Sequence, residues 1–522
     1  MKIETGTLAL IIALCTGLVA KNQITPVRLQ QYVVDEGKSM PAVVKQFYSY
    51  QNFQAAWFNP GQRLSRTELA DLLRSADRYG LDKNDYLVSN RSAVLNNLND
   101  SLVAEIQLTG LALQFMHDVL CGNSSPSFAY NGLNYEPRCF DIPLLLSTYV
   151  KAEKLSLLLH DVEIKSNEYN AIRNKIIRYD SIFHEPHFRE VRISSTNLSI
   201  SNLPLMTKLY QLGILDPLNK KISDTGLKEK IKEAQKLFGL LPDGILRTTL
   251  LTRLNIPLQI RIEELKKALN TTRWLNCMII NESSIVVNIP SATLLVYEKG
   301  NITLESKIIA GKRSTPTPTL TSKANEVILY PYWMVPQSIA IKELLPIIKR
   351  NPSFLDANGY QVINEKGRII NPHAINWRAL GPGHFPYRIR QSTGCDNALG
   401  LIKLNFYNPY SVYLHDTPGK TLFNSTSRYF SHGCMRVEKA MELAHLLLAG
   451  NTIALDTLEE KGCLRNQAPV TVAATRPMNV IVLYNTAWFN AAGDISFSED
   501  VYSKNVFLQS KEWVSDNNRH SH

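Results

Sequence analysis

Two short stretches decide the fold of this chain: Tyr413-Leu-His-Asp-Thr-Pro418 and Ser431-His-Gly-Cys-Met-Arg-Val437. They place His415 nineteen residues before Cys434, which follows Gly433 in a predicted turn. A cysteine attacks a carbonyl only as the thiolate, so a catalytic cysteine needs a basic partner that takes its proton. The spacing therefore predicts Cys434 as a nucleophile and His415 as its general base.

The residues that follow the cysteine favour a helix. Apolar residues recur at helical spacing from Val437 to Leu448 and stop before Gly450, which predicts that Cys434 lies at or just before a helix N-terminus. The positive end of the macrodipole favours a thiolate at that position. Gly433 permits a close backbone approach, and we expect the amides of Gly433 and Cys434 to point at a developing oxyanion.

Each residue alone has an ordinary structural interpretation, Cys434 as a small buried hydrophobic residue and His415 as a satisfied core histidine. The combination is more specific. Ser-His-Gly-Cys-x-Arg preceded by Tyr-Leu-His-Asp-Thr-Pro resembles the active-site signature of the L,D-transpeptidases with a YkuD-type catalytic domain, enzymes that crosslink peptidoglycan stem peptides. Three further segments look like core strands of that domain: Ile308 to Gly311, Tyr330 to Pro336 and Ala398 to Lys403.

The resemblance implies a reaction and a set of site residues. Cys434 would attack the carbonyl of the third residue of a tetrapeptide stem, expel D-alanine and pass the acyl group to an amine of a neighbouring stem as a 3→3 crosslink. Catalysis is assigned to Cys434, His415 and Gly433. Supporting roles go to Ser431, His432 and Asp416, and substrate binding goes to Gln391, Asn397, Tyr413 and Arg436.

Several of these roles have alternatives. His432 is the second candidate for the base, although a side chain two residues before a nucleophile often shapes the turn. Asp416 either orients His415 or caps the turn before Pro418. Arg436 either holds a stem carboxylate through its planar guanidinium or braces its loop in an ion pair.

Two other functional classes share parts of this pattern. An L,D-carboxypeptidase, with water as acceptor, would use the same residues and differ only in product. A non-catalytic scaffold that binds the cell wall is the other alternative, and an intact Ser-His-Gly-Cys-Met-Arg disfavours it. We expect peptidoglycan stem peptides, and other cell-wall synthases, as partners of the enzyme.

Length and charge restrict the class of protein. A chain of 522 residues exceeds what one hydrophobic core supports, so two to four domains are expected. The 57 Lys and Arg exceed the 46 Asp and Glu, giving a formal net charge of +11. The basic residues form no run of five or six, which favours a solvated surface with a mild attraction to acidic muropeptides over a nucleic-acid partner.

The first twenty residues indicate export. The stretch from Thr5 to Ala20 is uncharged and polar residues follow it, which is typical of a signal peptide, with an uncleaved anchor as the alternative. A periplasmic location follows, with membrane contact only through such an anchor.

The seven cysteines give no disulfide framework. Without Cys15 in the export segment and Cys434, five remain, so at least one is free or pairs outside the chain. Cys121 and Cys139 are the nearest pair and the candidate bridge. Neither CxxC nor HExxH occurs, and the histidines lack ligand spacing, so we expect neither a metal nor another cofactor.

The pattern of apolar residues predicts a multidomain α+β protein. Amphipathic helical segments dominate the first half, and from Ile285 the apolar period changes to two. The predicted parts are a signal or anchor (1–20), a helical scaffold (21–200), a peptidoglycan-binding-like module (201–256), a mostly β catalytic domain (275–500) with a capping insertion (337–397), and a tail (501–522).

The small module and the insertion rest mainly on the resemblance. Residues 239–244, with their Pro-Asp-Gly turn, look like the three-helix peptidoglycan-binding domain. Ala234 and Leu246 depart from its usual residues, so a purely architectural role is the alternative. The insertion is rich in Pro, Gly and aromatic residues, and long inserts of this kind usually serve as lids or binding loops.

Overall fold

The computed structural model describes residues 24–36, 40–58, 63–86, 101–135, 139–194, 203–216 and 222–505. The predicted export segment 1–20 lies outside them, as does most of the predicted tail, residues 506–522. Among the residues described, no helix is both long and apolar enough to cross a bilayer.

The N-terminal part is helical, as the sequence predicts. Its apolar faces enclose a core around Phe47, Trp57 and Phe115. The α-helices are Pro26–Gln31, Ala42–Tyr50, Arg63–Arg74, Ser101–Leu120, Ile142–Lys151, Leu155–Val162 and Asn167–Phe183, and the shorter helical turns are Tyr32–Glu36, Ala76–Tyr79 and Lys83–Tyr86.

A buried carboxylate organises the centre of this helical part. Glu105 is fully buried; its Oε1 accepts a hydrogen bond from the Ala56 amide at 2.6 Å. Its Oε2 accepts from the amides of Trp57 and Phe58 at 3.0 and 3.1 Å. Tyr48 donates its hydroxyl to the same carboxylate. Burial raises the pKa of Glu105 to about 7.

A second group of helices follows, and its last member is not predicted by the sequence analysis. Helix Leu258–Asn281 packs against helix Asn167–Phe183 and leads directly into the β-domain. Its buried Arg261 and Glu264 form an ion pair at 2.7 Å, and these charges interrupt the apolar stripe that would reveal the helix. The helices of this group are Leu203–Gln211, Asp224–Leu237, Thr248–Leu254 and Leu258–Asn281.

The cysteine pairing differs from the candidate bridge. Cys139 bonds to Cys277 on the long helix, and Cys121 is a free, buried thiol, so the expected Cys121–Cys139 bridge is wrong. The long helix brings Cys277 to Cys139 across 138 residues, a proximity that sequence spacing does not contain. A second disulfide joins Cys395 to Cys463.

The C-terminal half is built on β-strands, as predicted. The strands are β1 (Tyr130–Asn131), β2 (Ser284–Asn288), β3 (Thr293–Glu298), β4 (Asn301–Gly311), β5 (Leu320–Leu329), β6 (Trp333–Met334), β7 (Tyr360–Ile363), β8 (Ile369–Ile370), β9 (Arg388–Gln391), β10 (Ile402–Phe406), β11 (Leu414–His415), β12 (Tyr429–Ser431), β13 (Met435–Val437), β14 (Val470–Leu483), β15 (Ala487–Phe489) and β16 (Ile495–Phe497).

The main sheet closes on itself. Its strands follow the order β1-β5-β10-β11-β13-β4-β3-β2-β14, and β14 pairs again with β5. The β-strand of the helical half, β1, lies parallel to β5, with Tyr130 opposite Leu320. The inward residues form a continuous apolar core, covered by helices Ala440–Leu447 and Ile453–Lys461.

Residues 337–397 form, together with residues 333–335 before them, a unit with its own core. Strands β6, β9, β7 and β8 make a four-stranded sheet. Val335, Ile348, Val362, Trp377 and Ile389 are buried together on one side of it. The helical segments of this unit are Gln337–Ile339, Ala340–Leu344, Leu345–Arg350 and Phe354–Ala357, with short turns at Pro372–Ala374 and Trp377–Ala379.

Candidate active site

Cys434 lies in the turn between β12 and β13, and not at a helix N-terminus. Residues 435–437 pair with β11 on one side and β4 on the other, so the chain leaves the cysteine as a strand. The following helix begins only at Ala440. A macrodipole acts within about one turn, so the expected stabilisation of the thiolate by that helix is wrong.

The turn is held by Ser431 and Gly433. Gly433 has a φ of +116°, a backbone conformation that favours glycine. Ser431 Oγ accepts the Gly433 amide at 3.1 Å and donates to the Cys434 carbonyl. The Gly433 amide is therefore occupied and does not meet the expected oxyanion role. The Cys434 amide has no acceptor among the described residues, which leaves it as the backbone donor of the turn.

The thiol of Cys434 is half-buried beside Tyr413. The Tyr413 hydroxyl lies close to it, and the Ser411 carbonyl accepts from Sγ at 3.9 Å. Burial raises the pKa of the Cys434 thiol. The backbone and then the side chain of Tyr413, followed by the charges of Lys403 and Arg436, lower this pKa by favouring the thiolate.

His415 lies on β11, the strand beside the cysteine turn. Its Nδ1 is 2.5 Å from the Asp416 carbonyl oxygen. Because a carbonyl only accepts, Nδ1 carries the proton and Nε2 has a free lone pair. Burial, with the nearby charge of Arg436, lowers the pKa of His415 to about 3. The imidazole is therefore neutral at pH 7 and able to accept a proton through Nε2.

Asp416 orients His415 through its backbone and not through its carboxylate. Its Oδ2 accepts the Leu401 amide at 3.0 Å, and its Oδ1 accepts from Lys420 at 2.5 Å. A Cβ on Gly400 would come within 2.2 Å of the same carboxylate. The side chain of Asp416 thus fixes the start of β10, and its carbonyl fixes the imidazole.

The structure places the two basic candidates differently. Arg436 is half-buried near the thiol and forms no ion pair with any of the described residues, so the loop-bracing alternative finds no support there. His432 is exposed; its Nε2 lies 2.6 Å from Glu343 Oε1 and 3.2 Å from Lys312 Nζ. His432 therefore joins the cysteine turn to the capping insertion.

Gln391 and Asn397 are buried and brace the backbone around Cys395. Gln391 donates to the Asp396 carbonyl at 3.0 Å and accepts the Ala398 amide at 2.9 Å. Asn397 donates to the Pro331 carbonyl at 3.1 Å. Both amides are engaged in these contacts, so their positions favour a structural role over the expected direct contact with substrate.

The sequence analysis gave no role to two side chains that meet Tyr413. Lys403 Nζ lies 4.3 Å from the centroid of the Tyr413 ring, and Lys403 pairs with His415 across β10 and β11. The Trp333 side chain lies close to the Tyr413 hydroxyl. The alternation of residues along β10 indicates only which face of the strand carries Lys403. Trp333 lies outside the two motifs around His415 and Cys434. Neither contact could therefore be derived from sequence spacing.

These groups supply what thiol-dependent acyl transfer requires: a free thiol, a neutral imidazole with an open nitrogen and nearby cations. The fold and the site are therefore of the kind that can support acyl transfer. Residues 282–468 match the family model of the L,D-transpeptidase catalytic domain, YkuD, and residues 42–176 match that of the Scaffold domain. The chain thus has a segment similar to the L,D-transpeptidase catalytic domain and, before it, a helical segment similar to the Scaffold domain.

One curated relative and one solved structure are similar to parts of this chain. A putative L,D-transpeptidase of Haemophilus influenzae is 38% identical over 221 residues, which cover 42% of this chain and 44% of that protein. The chain thus matches less than half the length of that relative. A solved structure of the Ldtfm–avibactam carbamoyl enzyme matches at 13% identity over 44% of this chain and 64% of that chain, with a TM-score of 0.17, too low to carry an argument.

Proposed function

We propose that the protein is a peptidoglycan L,D-transpeptidase that forms 3→3 crosslinks through a cysteine thioester. The observation that carries this proposal is the free Cys434 thiol in the turn before β13, next to β11, which carries the neutral His415. The match of residues 282–468 to the catalytic domain supports the substrate class.

The first half-reaction is acylation. His415 Nε2 takes the thiol proton as Sγ attacks the carbonyl of the third stem residue, and the Cys434 amide donates to the oxyanion. The C–N bond then breaks, D-alanine leaves with the proton from the imidazolium, and a thioester remains. The free guanidinium of Arg436 holds a carboxylate of the donor stem through paired hydrogen bonds.

The second half-reaction transfers the acyl group. The amine of a neighbouring stem attacks the thioester carbon while His415 removes a proton from the amine. The C–S bond breaks, an amide crosslink forms, and the thiolate recovers its proton from His415. Water in place of the amine would give the L,D-carboxypeptidase product, so the acceptor alone separates the two activities.

The capping insertion acts as a wall of the substrate groove. Glu343 from this insertion contacts His432 in the cysteine turn, and Trp333 at the base of the insertion contacts Tyr413. A wall held this close excludes water and orients the stem, which is a large part of what positioning contributes to rate.

The helices between residues 203 and 254 serve as a peptidoglycan-binding-like module. The turn at residues 242–244 is held by Gln235, which donates to Asp243 at 2.8 Å and accepts the Gly244 amide at 2.8 Å. This supports the fold expected from the Pro-Asp-Gly turn. Ala234, which departs from the usual residue of that module, is buried in its core. Glycan binding by the module is therefore the property to measure.

A periplasmic location is part of the proposal. The two disulfides, Cys139–Cys277 and Cys395–Cys463, support an oxidising compartment, because cytosolic thiols are kept reduced. This agrees with the export segment expected from residues 1–20.

The test is mass analysis of muropeptides after incubation of the purified protein with sacculi that carry tetrapeptide stems. Crosslinked dimers that have lost one D-alanine are expected. Tripeptides without dimers would establish the carboxypeptidase instead, and unchanged muropeptides with wild-type protein would overturn both enzyme assignments.

A further inference from the structure

The loop between β10 and β11 exposes two tyrosines next to the cysteine turn. Tyr407 has 76% of its surface exposed and Tyr410 has 46%. Side chains of this size usually bury most of their surface, so two exposed rings in one seven-residue loop, residues 407–413, need an explanation. The reaction proposed above uses neither of them.

The loop is rigid despite its exposure. The carboxamide of Asn408 is buried; it donates to the carbonyls of Phe406 and Val412 and accepts the amides of Tyr410 and Val412. Ser411 adopts a φ of +53°, which a non-glycine residue takes only when its surroundings fix it. The tyrosines are thus displayed on a preformed support.

The helical half of the chain completes the surface. Tyr130 of β1 lies with its ring centroid 6.1 Å from that of Tyr407, in an edge arrangement. The Tyr410 hydroxyl donates to the Ala129 carbonyl at 3.0 Å. We call Tyr130, Tyr407 and Tyr410 the tyrosine platform.

The platform is connected directly to the nucleophile. The carbonyl of Ser411, next to Tyr410, is the acceptor for Cys434 Sγ at 3.9 Å. An extended chain spans about 3.3 Å a residue, so three stem residues reach about 10 Å from the reacting carbonyl. Tyr407 lies four residues before Ser411 in the same loop, a separation that an extended chain spans in about 13 Å at most.

We propose that the tyrosine platform binds the acetamido sugar that carries the donor stem. The inference rests on the proposed function and deepens it, since it makes the donor a glycan-linked stem and not a free peptide. Sugar rings present C–H faces that pack on exposed aromatic rings such as that of Tyr407.

Binding to full-length Cys434→Ala protein tests the platform without turnover. Calorimetry would compare a disaccharide-tetrapeptide with the same tetrapeptide lacking sugar. We expect Tyr407→Ala to weaken binding of the disaccharide-tetrapeptide roughly two- to tenfold and to leave the sugar-free peptide unchanged. Tyr407→Phe keeps the ring and should stay within twofold of the parent protein. Ile453, 77% exposed on a distant helix, gives the matched control Ile453→Ala.

Each outcome decides the proposal. Equal weakening of both ligands by Tyr407→Ala would mean that the platform contacts peptide, and no weakening of either would mean that it contacts neither; both results overturn the sugar assignment. If the wild-type protein turns over its substrate and Tyr407→Ala leaves the preference for the disaccharide-tetrapeptide over the sugar-free tetrapeptide unchanged, this inference alone is overturned. A retained binding difference without any wild-type turnover would overturn the proposed reaction alone.

Discussion

The helical half and the catalytic half each enclose a buried ionisable side chain, and they use it in opposite ways. In the helical half, both oxygens of Glu105 accept backbone amides, and the Tyr48 hydroxyl adds a further donor. In the catalytic half, His415 engages Nδ1 with a carbonyl and keeps Nε2 open. A buried polar group whose atoms are all engaged fixes a fold, and one with an open atom is prepared for chemistry.

Removing the nucleophile should give the largest effect. Cys434→Ala is expected to abolish both crosslinking and D-alanine release, because no other group in the site forms a thioester. The side chain is small and half-buried, so the melting temperature should stay close to that of the wild type. Muropeptide analysis and thermal unfolding are the measurements. Crosslinked dimers from folded Cys434→Ala protein would refute the nucleophile assignment.

Removing the base should have the next largest effect and should separate the two histidines. His415→Ala is expected to slow acylation roughly a hundred- to ten-thousand-fold, because proton transfer is lost. His432→Ala is the matched control, since it removes contacts with Glu343 at the capping insertion and with Lys312 but no contact with the thiol. Single-turnover acylation at pH 7 compares them. Greater severity of the His432 variant would exchange the two roles.

Removing the charge of Lys403, which lies against the Tyr413 ring, should have an intermediate effect. Burial raises the pKa of the Cys434 thiol, so the thiolate fraction is small at pH 7 and increases as the pH rises through that pKa. Lys403→Met removes a cation that favours the thiolate and should lower the alkylation rate at pH 7 roughly tenfold, with the midpoint moved to higher pH. Lys403→Arg should keep the wild-type profile.

Iodoacetamide labelling across pH 6 to 10 measures this profile, and Cys434→Ala protein gives the background from other thiols. An unchanged midpoint in Lys403→Met would show that the lysine only packs against Tyr413. His415 adds no inflection near pH 7, because its pKa of about 3 leaves it neutral throughout this range.

The sequence predicted the local parts of the site and failed where distant segments meet. Cys434 and His415 are recognisable because each lies in a short stretch of characteristic sequence, and the segment Ala398 to Lys403, expected as a core strand, leads into β10 at Ile402–Phe406. The helix expected at Cys434 was wrong because Val437 pairs with Ile308 in the sheet, an interaction between strands that an apolar period does not contain. The contacts of Trp333 and Glu343 with the site depend on how the insertion folds back.

The helical half was predicted only in outline for the same reason. Helix Leu258–Asn281 is obscured by the buried Arg261–Glu264 pair, which makes a core position look polar. The Cys139–Cys277 bridge needs that helix to be in place before the two cysteines are neighbours. Glu105 looks like a surface residue within an apolar helix until the segment at residues 56–58 packs against it.

The smallest effect is expected from Glu105→Gln, and it should appear in stability rather than chemistry. Burial raises the pKa of Glu105 from an ordinary 4.5 to about 7. The stabilisation from the neutral acid is therefore complete below about pH 4.5 and is lost as the pH rises through 7. Glutamine cannot ionise, and its NH₂ cannot accept the Trp57 and Phe58 amides. It should therefore remove this part of the pH dependence and cost about 1–3 kcal/mol of unfolding free energy.

Denaturant unfolding at pH 5 and pH 8 measures both changes, with Glu68→Gln as the control on a neighbouring helix. Crosslinking activity of Glu105→Gln should equal that of the wild type at a temperature where both are folded. A loss of activity in folded Glu105→Gln protein would show that the helical half also takes part in the chemistry.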